Sequence, residues 1–118
     1  GTYILKNTTD GIVMHSPKNK ITTANTTAEL FHNALGWKLN IDELMYWVRG
    51  IPEPDMSYTE LKLDEKGRLI RMKQSGFSVN VSGYFIQNGI SLPKKISIKN
   101  DNMRLKLVIK KWKTYLDG

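Results

Sequence analysis

The feature that most constrains the fold is an alternation of apolar and polar residues that runs through positions 57–113. Successive side chains of a strand point to opposite faces, so a period of two predicts strands with one buried and one solvated face. Glycine, serine, asparagine and aspartate interrupt the pattern at spacings typical of hairpin turns. The second half of the chain is therefore predicted to be an antiparallel meander of about five strands.

The apolar positions of this meander define its predicted inner face. They are Leu61, Leu63, Ile70, Met72, Phe77, Val79, Val81, Ile96, Ile98, Met103, Leu105, Leu107 and Ile109. The intervening positions are mostly charged or hydroxylated, which predicts a wet, basic outer face. The chain shows no crossover pattern of the kind that joins parallel strands, so parallel pairing is not predicted.

The first half of the chain predicts three short strands followed by two helices. Strand propensity and turn signals place the strands within residues 1–24. Thr26 and Glu29 match a capping box, and Asn40 with Glu43 can begin a second helix, so the helices fall within residues 26–50. The two helices are the only elements available to cover the apolar face of a curved sheet. A chain of 118 residues can hold one such core, so positions 1–118 are predicted to be a single mainly β (α+β) domain.

The second predicted helix is more apolar than packing on one side requires. Residues 44–48 are five apolar or amphipathic residues in succession, and helical neighbours lie ~100° apart, so they cover more than one face. Its stripe of Ile41, Leu44, Met45 and Val48, with nearby Trp37, Trp47 and Ile51, forms an apolar cluster. That cluster is either an ordinary core or one wall of an apolar pocket between helices and sheet.

Positive charge is concentrated near the C-terminus. The net charge is +7, and residues 94–118 carry eight lysines and arginines against two aspartates. Such a field can attract phosphate groups of nucleic acid or anionic lipid, although lysines on a solvated strand also discourage edge-to-edge aggregation. The predicted basic surface consists of Lys94, Lys95, Lys99, Arg104, Lys106 and Lys110.

Two function classes find little support in the sequence. Sheets that bind single-stranded nucleic acid stack bases on aromatic residues among their cations, whereas Phe77 falls on the apolar side, so nucleic acid is not a predicted partner. His15 and His32 lie on different predicted elements, and the glycines follow turns rather than a phosphate-binding loop. The chain has no cysteine, which excludes thiolate chemistry. We therefore predict no catalytic residues, no metal, no cofactor and no enzymatic activity.

Four motifs, in order, resemble the family of the outer-membrane lipoprotein receptor LolB. They are Trp47-Val48-Arg49-Gly50-Ile51-Pro52, Leu63-Asp64 with Gly67-Arg68-Leu69, Leu92-Pro93-Lys94-Lys95-Ile96, and Arg104-Leu105-Lys106-Leu107-Val108-Ile109 with Trp112. The resemblance runs over nearly the whole chain. It implies an incomplete antiparallel β-barrel in which two helices plug the concave face and an apolar cavity remains between them and the sheet.

The resemblance also implies a task at the periplasmic face of the outer membrane of a Gram-negative bacterium. Such a protein accepts mature lipoproteins from the periplasmic carrier LolA, holds their acyl chains in the cavity and inserts them into the membrane. Differential affinity for acyl chains suits a site of purely apolar contacts. The expected cavity residues are Leu30, Leu35, Leu44, Trp47, Val48, Val79, Val81, Leu105, Leu107 and Ile109. The alternative is a basic β-sheet module that binds a polyanion, either nucleic acid or an anionic lipid surface.

The same resemblance implies that the chain is an N-terminally truncated fragment. It matches roughly the C-terminal two-thirds of the family, so the lipid-anchored cysteine, the first strands and the apolar tip of a protruding loop are expected to precede Gly1. An open sheet edge follows from that expectation, and a second copy or a companion chain is expected to cover it.

Overall fold

The computed structural model describes residues 1–8, 11–36 and 39–110. Eight strands and two helices lie in these ranges, with a short 3₁₀ turn, Pro17–Asn19, between the second and third strands. The elements are β1 (Thr2–Thr8), β2 (Gly11–Ser16), β3 (Lys20–Ala24), α1 (Thr27–Leu35), α2 (Ile41–Trp47), β4 (Tyr58–Leu63), β5 (Leu69–Gln74), β6 (Phe77–Gln87), β7 (Ile90–Lys99) and β8 (Arg104–Ile109). The predicted order of strands, helices and strands is confirmed.

All of these strands join one open sheet in the order β3-β2-β1-β8-β7-β6-β5-β4. Neighbours pair antiparallel except β1 and β8, which run parallel with Tyr3 opposite Leu107 and Leu5 opposite Ile109. The Gly1 amine donates to the Arg104 carbonyl oxygen at 2.8 Å, across 103 positions of sequence. The expectation of purely antiparallel pairing is therefore wrong at this one junction, because a contact between the two ends of the chain leaves no local crossover signal.

The cross-strand register carries one apolar face across the sheet. One row places Val79 opposite Ile98 and Ile98 opposite Leu105, and the next row joins Val81, Ile96, Leu107 and Tyr3. These side chains are all buried in one apolar cluster. Paired residues share a face of the sheet, so the predicted period of two produces the core directly.

Both helices lie against this inner face and begin at the predicted caps. Thr26 Oγ1 accepts from the Glu29 N–H at 3.2 Å, and Asn40 Oδ1 accepts from the Asp42 N–H at 2.9 Å. Helix α1 packs against β2 and β3, whereas α2 reaches β5 and β6 through Trp47. The helices thus contact both halves of a sheet that is not closed, which confirms the predicted incomplete barrel with a helical plug.

The buried side of α2 differs in part from the predicted stripe. Leu44, Trp47 and Val48 are buried, whereas Ile41 and Met45 are half-buried. Ile51 was expected in the same apolar cluster, but it is 45% exposed. Trp37 lies outside the described residues. Leu44 and Val48 of the predicted stripe are therefore buried as expected, while Trp47 is more deeply buried than the other two members, Ile41 and Met45.

Strand β4 departs from the predicted alternation. All six of its residues are exposed, with Leu61 at 42% and Leu63 at 48%. It is an edge strand, its register with β5 shifts on both sides of Lys62, and Glu60 has a φ of 52°. A bulge of this kind bends and twists a strand away from its regular face. The prediction that Leu61 and Leu63 belong to the inner face is therefore wrong.

Candidate functional site

The structure brings all ten predicted cavity residues together. Leu30, Leu35, Leu44, Trp47 and Val48 come from the helices, and Val79, Val81, Leu105, Leu107 and Ile109 come from the sheet. Each is at most 7% exposed, and all belong to one apolar cluster. Their role in holding a ligand stays a prediction.

Sequence reasoning missed several members of the same cluster. Leu5 and Met14 are fully buried and lie opposite each other on β1 and β2, and Phe31 is buried on α1. The signal for Leu5 and Met14 was weak, because strands of five to seven residues offer little alternation to read. Helical spacing places Phe31 on the same face of α1 as Leu30 and Leu35, although it was not among the expected cavity residues.

Trp47 is fastened to the sheet by the buried side chain of Gln74. Its Nε1 donates to Gln74 Oε1 at 2.7 Å, and its ring meets the Phe77 ring edge-on at a centroid distance of 5.8 Å. Gln74 Oε1 also accepts from the Glu53 N–H at 2.9 Å, while Nε2 donates to the carbonyl oxygens of Glu53 and Met56. One amide therefore orients the indole and ties the segment after α2 to β5.

The end of α2 contacts the sheet closely through Gly50. Its φ is +79°, and a Cβ at this position would lie 3.0 Å from Tyr84 Oη and 3.4 Å from Pro93 Cγ. Tyr84 in turn donates to the Leu69 carbonyl oxygen at 2.7 Å. Burial and then the nearby Asp64 carboxylate raise the pKa of Tyr84 to about 12, so its hydroxyl stays protonated as a donor. The glycine of the Trp47–Pro52 motif is thus required by backbone geometry and by this contact.

The second motif forms the turn between β4 and β5. Asp64 Oδ1 accepts from the backbone N–H groups of Lys66 and Arg68 at 2.9 Å each, and Arg68 Nε donates to Oδ2 at 2.8 Å. The hydrogen bond from the Arg68 backbone N–H, supported by the Arg68 side chain and the Lys66 N–H, holds the pKa of Asp64 below its ordinary value of 3.8. Gly67 supplies the positive φ within the same turn. This motif has a structural role in the hairpin.

The six residues of the predicted basic surface are all exposed. Lys99 lies directly opposite Arg104 on the outer face, and Ser78 joins this row to Lys73 on β5. Lys73, Lys99 and Arg104 line an open cleft of about 550 Å³, which Asp101 also borders. Lys99 and Arg104 are like charges on facing strands and repel each other, whereas Lys73 is paired with the Glu60 carboxylate at 3.0 Å. The role of the basic surface in binding a partner stays a prediction.

Within the described ranges, no three histidine, aspartate or glutamate residues are grouped closely enough to hold a metal ion. No helix in the described part of the chain is long and apolar enough to cross a membrane.

Together these features define an incomplete β-barrel, plugged by two helices around an aliphatic interior, with a cationic outer face. Comparison with known proteins gives the family. The family model described as "Outer membrane lipoprotein LolB" matches residues 1–112, so this chain belongs to the LolB family. The family and its place at the outer membrane of Gram-negative bacteria, both expected from the sequence, are confirmed.

Individual relatives show the same family. An outer-membrane lipoprotein LolB of Nitrosococcus oceani is 33% identical over 112 residues, which cover 95% of this chain and 56% of the relative. The LolB of Pseudomonas paraeruginosa is 38% identical over 89 residues, which cover 75% of this chain and 43% of the relative. The LolB of Pseudomonas fluorescens is 42% identical over 83 residues, which cover 70% of this chain and 40% of the relative. The chain therefore spans about half the length of these relatives.

Proposed function

We propose that this chain binds the acyl chains of lipoproteins between its helices and its sheet, at the periplasmic face of the outer membrane, and passes them to that membrane. Membership of the LolB family supports a role in lipoprotein localisation. The proposed donor of the cargo is the periplasmic carrier LolA. No covalent step is required, because transfer can proceed by differences in affinity for apolar chains.

The observation that carries this proposal is the continuity of the aliphatic interior. The ten predicted residues link both helices to β6 and β8 in one cluster, and the polar groups at its border are engaged by the Trp47–Gln74 network. An acyl chain between the helices and the sheet would therefore meet mostly apolar side chains, with the Trp47 indole N–H and the Gln74 amide at one border. Such apolar contacts stabilise the bound hydrocarbon itself and do not depend on which lipoprotein carries it.

Filling the interior tests the proposal. Val81 is 7% exposed, the most accessible of the ten residues, and lies on the inner face. Val81→Phe is expected to lower the affinity for a fluorescent fatty-acyl probe by about tenfold, because the larger ring competes for the same space. Probe fluorescence at increasing protein concentration measures the affinity, and thermal unfolding confirms that the variant is folded.

The matched control is Val108→Phe. Val108 is half-buried on the opposite face of β8, in register with Lys95 and Ile4. Its enlargement is expected to leave probe affinity unchanged. Equal affinities for the wild type and a folded Val81→Phe variant would contradict acyl binding in this interior.

A second candidate function is supported by the facing pair of Lys99 and Arg104. A polyanion held on the outer face would relieve their repulsion. Binding of a phosphorylated polymer or an anionic surface at this row would weaken steeply as salt increases, whereas acyl binding would change little. The salt dependence of the two affinities therefore separates the candidates.

We also propose that the β4 edge pairs with a second copy or a companion chain. The exposed backbone of an edge strand is a template for strand addition, and Leu61 and Leu63 would gain cover from it. A monomer in sedimentation that binds no apolar dye would contradict this part of the proposal.

A further inference from the structure

Strands β6 and β7 extend beyond the sheet as a two-stranded ribbon. Strand β5 pairs with β6 only at residues 77–80, and β8 pairs with β7 only at residues 95–99. Residues 84–87 and 90–93, in contrast, pair only with each other. We call residues 84–93 the hairpin arm. Since it has no neighbouring strand on either side, its outer end projects from the sheet.

The arm carries two isoleucines at its outer end that nothing covers. Ile86 is 71% exposed and Ile90 is 60% exposed, the two highest values among the large apolar side chains of the described residues. Between them Asn88 and Gly89 form a tight turn with φ values of 52° and 78°. Ile86 lies opposite Ser91, and Gln87 lies opposite Ile90, so the two isoleucines lie on opposite faces of the ribbon.

All charged side chains within residues 67–99 are cationic, and the Asp64 carboxylate, near Tyr84 at the base of the arm, is paired with Arg68. No aspartate or glutamate occurs between Lys66 and Asn100. Lys94 and Lys95 follow the arm on β7, and Lys94 Nζ lies 5.5 Å from the centroid of the Phe85 ring. An extended strand rises about 3.3 Å per residue, so Lys94 lies about 13 Å from Ile90 along the ribbon.

We propose that the hairpin arm is a membrane contact: its tip inserts Ile86 and Ile90 into the acyl boundary of an anionic phospholipid bilayer, with Lys94 and Lys95 at the headgroups. Interfacial segments bury their apolar residues roughly 5–10 Å deep, which places cations about 13 Å behind the tip near the lipid phosphates. A flat protein surface would cover only one face of the ribbon. A bilayer surrounds the tip and covers both.

The inference deepens the proposed function, since the arm would bring the chain to the membrane that receives the cargo. It rests on that function for its biological purpose only, because insertion of the arm requires no bound acyl chain. The two proposals can therefore fail separately.

Vesicle binding by the whole chain tests the arm. The wild type is expected to co-sediment with vesicles of phosphatidylethanolamine and phosphatidylglycerol in the absence of any lipoprotein. Ile86→Ser combined with Ile90→Ser is expected to weaken this binding by about tenfold or more, since two apolar side chains no longer enter the bilayer. The matched control is Ile21→Ser, because Ile21 is 58% exposed on β3 but lies outside the arm.

Two further measurements test the lysines at the headgroups and the isoleucine tip separately. Lys94→Gln combined with Lys95→Gln is expected to remove most of the dependence on phosphatidylglycerol while retaining weak binding to neutral vesicles. Since the chain has no cysteine, Ile90→Cys can be labelled with a single polarity-sensitive dye. Its emission is expected to shift to the blue on vesicle addition, while the same dye on Ile21→Cys stays unshifted.

The outcomes separate the possibilities. Vesicle binding by the double isoleucine variant equal to that of the wild type, or an unshifted dye at position 90, overturns the inference. Binding of the tip to a soluble protein with no affinity for vesicles also overturns it. Loss of vesicle binding by the double isoleucine variant, with unchanged binding of the fatty-acyl probe, supports the arm as a membrane contact and leaves the proposed function intact. Retained vesicle binding in a chain that binds no acyl probe supports the arm and contradicts the acyl site.

Discussion

At the scale of single residues, two residues of the motifs that carry the family resemblance have a purely structural role. Gly50 permits α2 to end against Tyr84 and Pro93, and Asp64 closes the turn into β5. Neither residue belongs to the aliphatic interior. The same motifs also supply half of the proposed binding residues, namely Trp47, Val48, Leu105, Leu107 and Ile109. The spacing of the motifs therefore identifies the fold, while the other five proposed binding residues lie outside any motif.

Two glycines with the same backbone angle allow a clean comparison. Gly50 and Gly67 both have a φ of +79°, but an added Cβ at Gly67 would meet nothing within 4 Å. Gly67→Ala is expected to lower the free energy of unfolding by about 1–2 kcal/mol, through backbone strain alone. Gly50→Ala is expected to lower it further, because its methyl group presses on the Tyr84 hydroxyl.

Denaturant unfolding of both variants measures the difference. The near-ultraviolet circular dichroism of Gly50→Ala should also change, since Tyr84 and the end of α2 are displaced. Equal losses of stability for the two alanine variants would show that a methyl group against Tyr84 adds nothing to the loss caused by backbone strain.

At the scale of elements, hairpins and helix caps behave as local units. The Asp64 turn illustrates this, because the three hydrogen bonds to the Asp64 carboxylate all come from within four residues. The caps at Thr26 and Asn40 are equally local, which explains why the sequence predicts where both helices begin. Strand β4 is the exception: its alternation is regular in sequence, yet its position at the sheet edge and its bulge leave every side chain exposed.

The Asp64 turn predicts a specific dependence of stability on pH. The folded pKa of Asp64 lies below 3.8, so its charged form contributes to stability above that value. This contribution is lost as pH falls from 3.8 through the folded pKa, because protonation then favours the unfolded chain. Asp64→Asn is expected to be less stable than the wild type at neutral pH and to lose less stability between about pH 5 and about pH 2.

Urea unfolding at a series of pH values measures both curves. Asp101→Asn serves as the control, since Asp101 is an exposed residue in another turn. Parallel curves for the wild type and Asp64→Asn would show that the hydrogen bonds of the turn do not favour the carboxylate.

At the scale of the whole molecule, the parallel pairing of β1 with β8 decides the architecture. It joins the first three strands to the meander and places Leu5 and Met14 in the same core as Leu107 and Ile109. The Gly1 carbonyl oxygen accepts from the Lys106 N–H at 2.9 Å, and the Leu5 carbonyl oxygen accepts from the Lys110 N–H at 3.0 Å. Without this junction the sheet would consist of two separate pieces.

Cysteine pairs test this register in a chain that has no cysteine of its own. Ile4 lies directly opposite Val108, and the next pair on the same face of the sheet is Thr2 with Lys106. Ile4→Cys with Val108→Cys is expected to oxidise readily to a disulfide, since directly opposed residues lie within bonding range. Ile4→Cys with Lys106→Cys is expected to oxidise slowly, because the second pair is displaced by two residues.

Gel mobility with and without reductant reports both reactions. Faster closure of the Ile4 and Lys106 pair than of the Ile4 and Val108 pair would contradict the parallel register.

The sequence by itself determined the elements, the inner and outer faces and the family, because these depend on local periodicity, on caps and on short motifs. It predicted the ten residues that gather in the interior for the same reason. The tertiary structure alone decided that β1 runs parallel to β8, that Leu61 and Leu63 face solvent, and that the hairpin arm projects beyond its neighbours. Those features depend on which strands become neighbours and on which strand lies at an edge, and pairing between distant segments leaves no mark on the local pattern of residues.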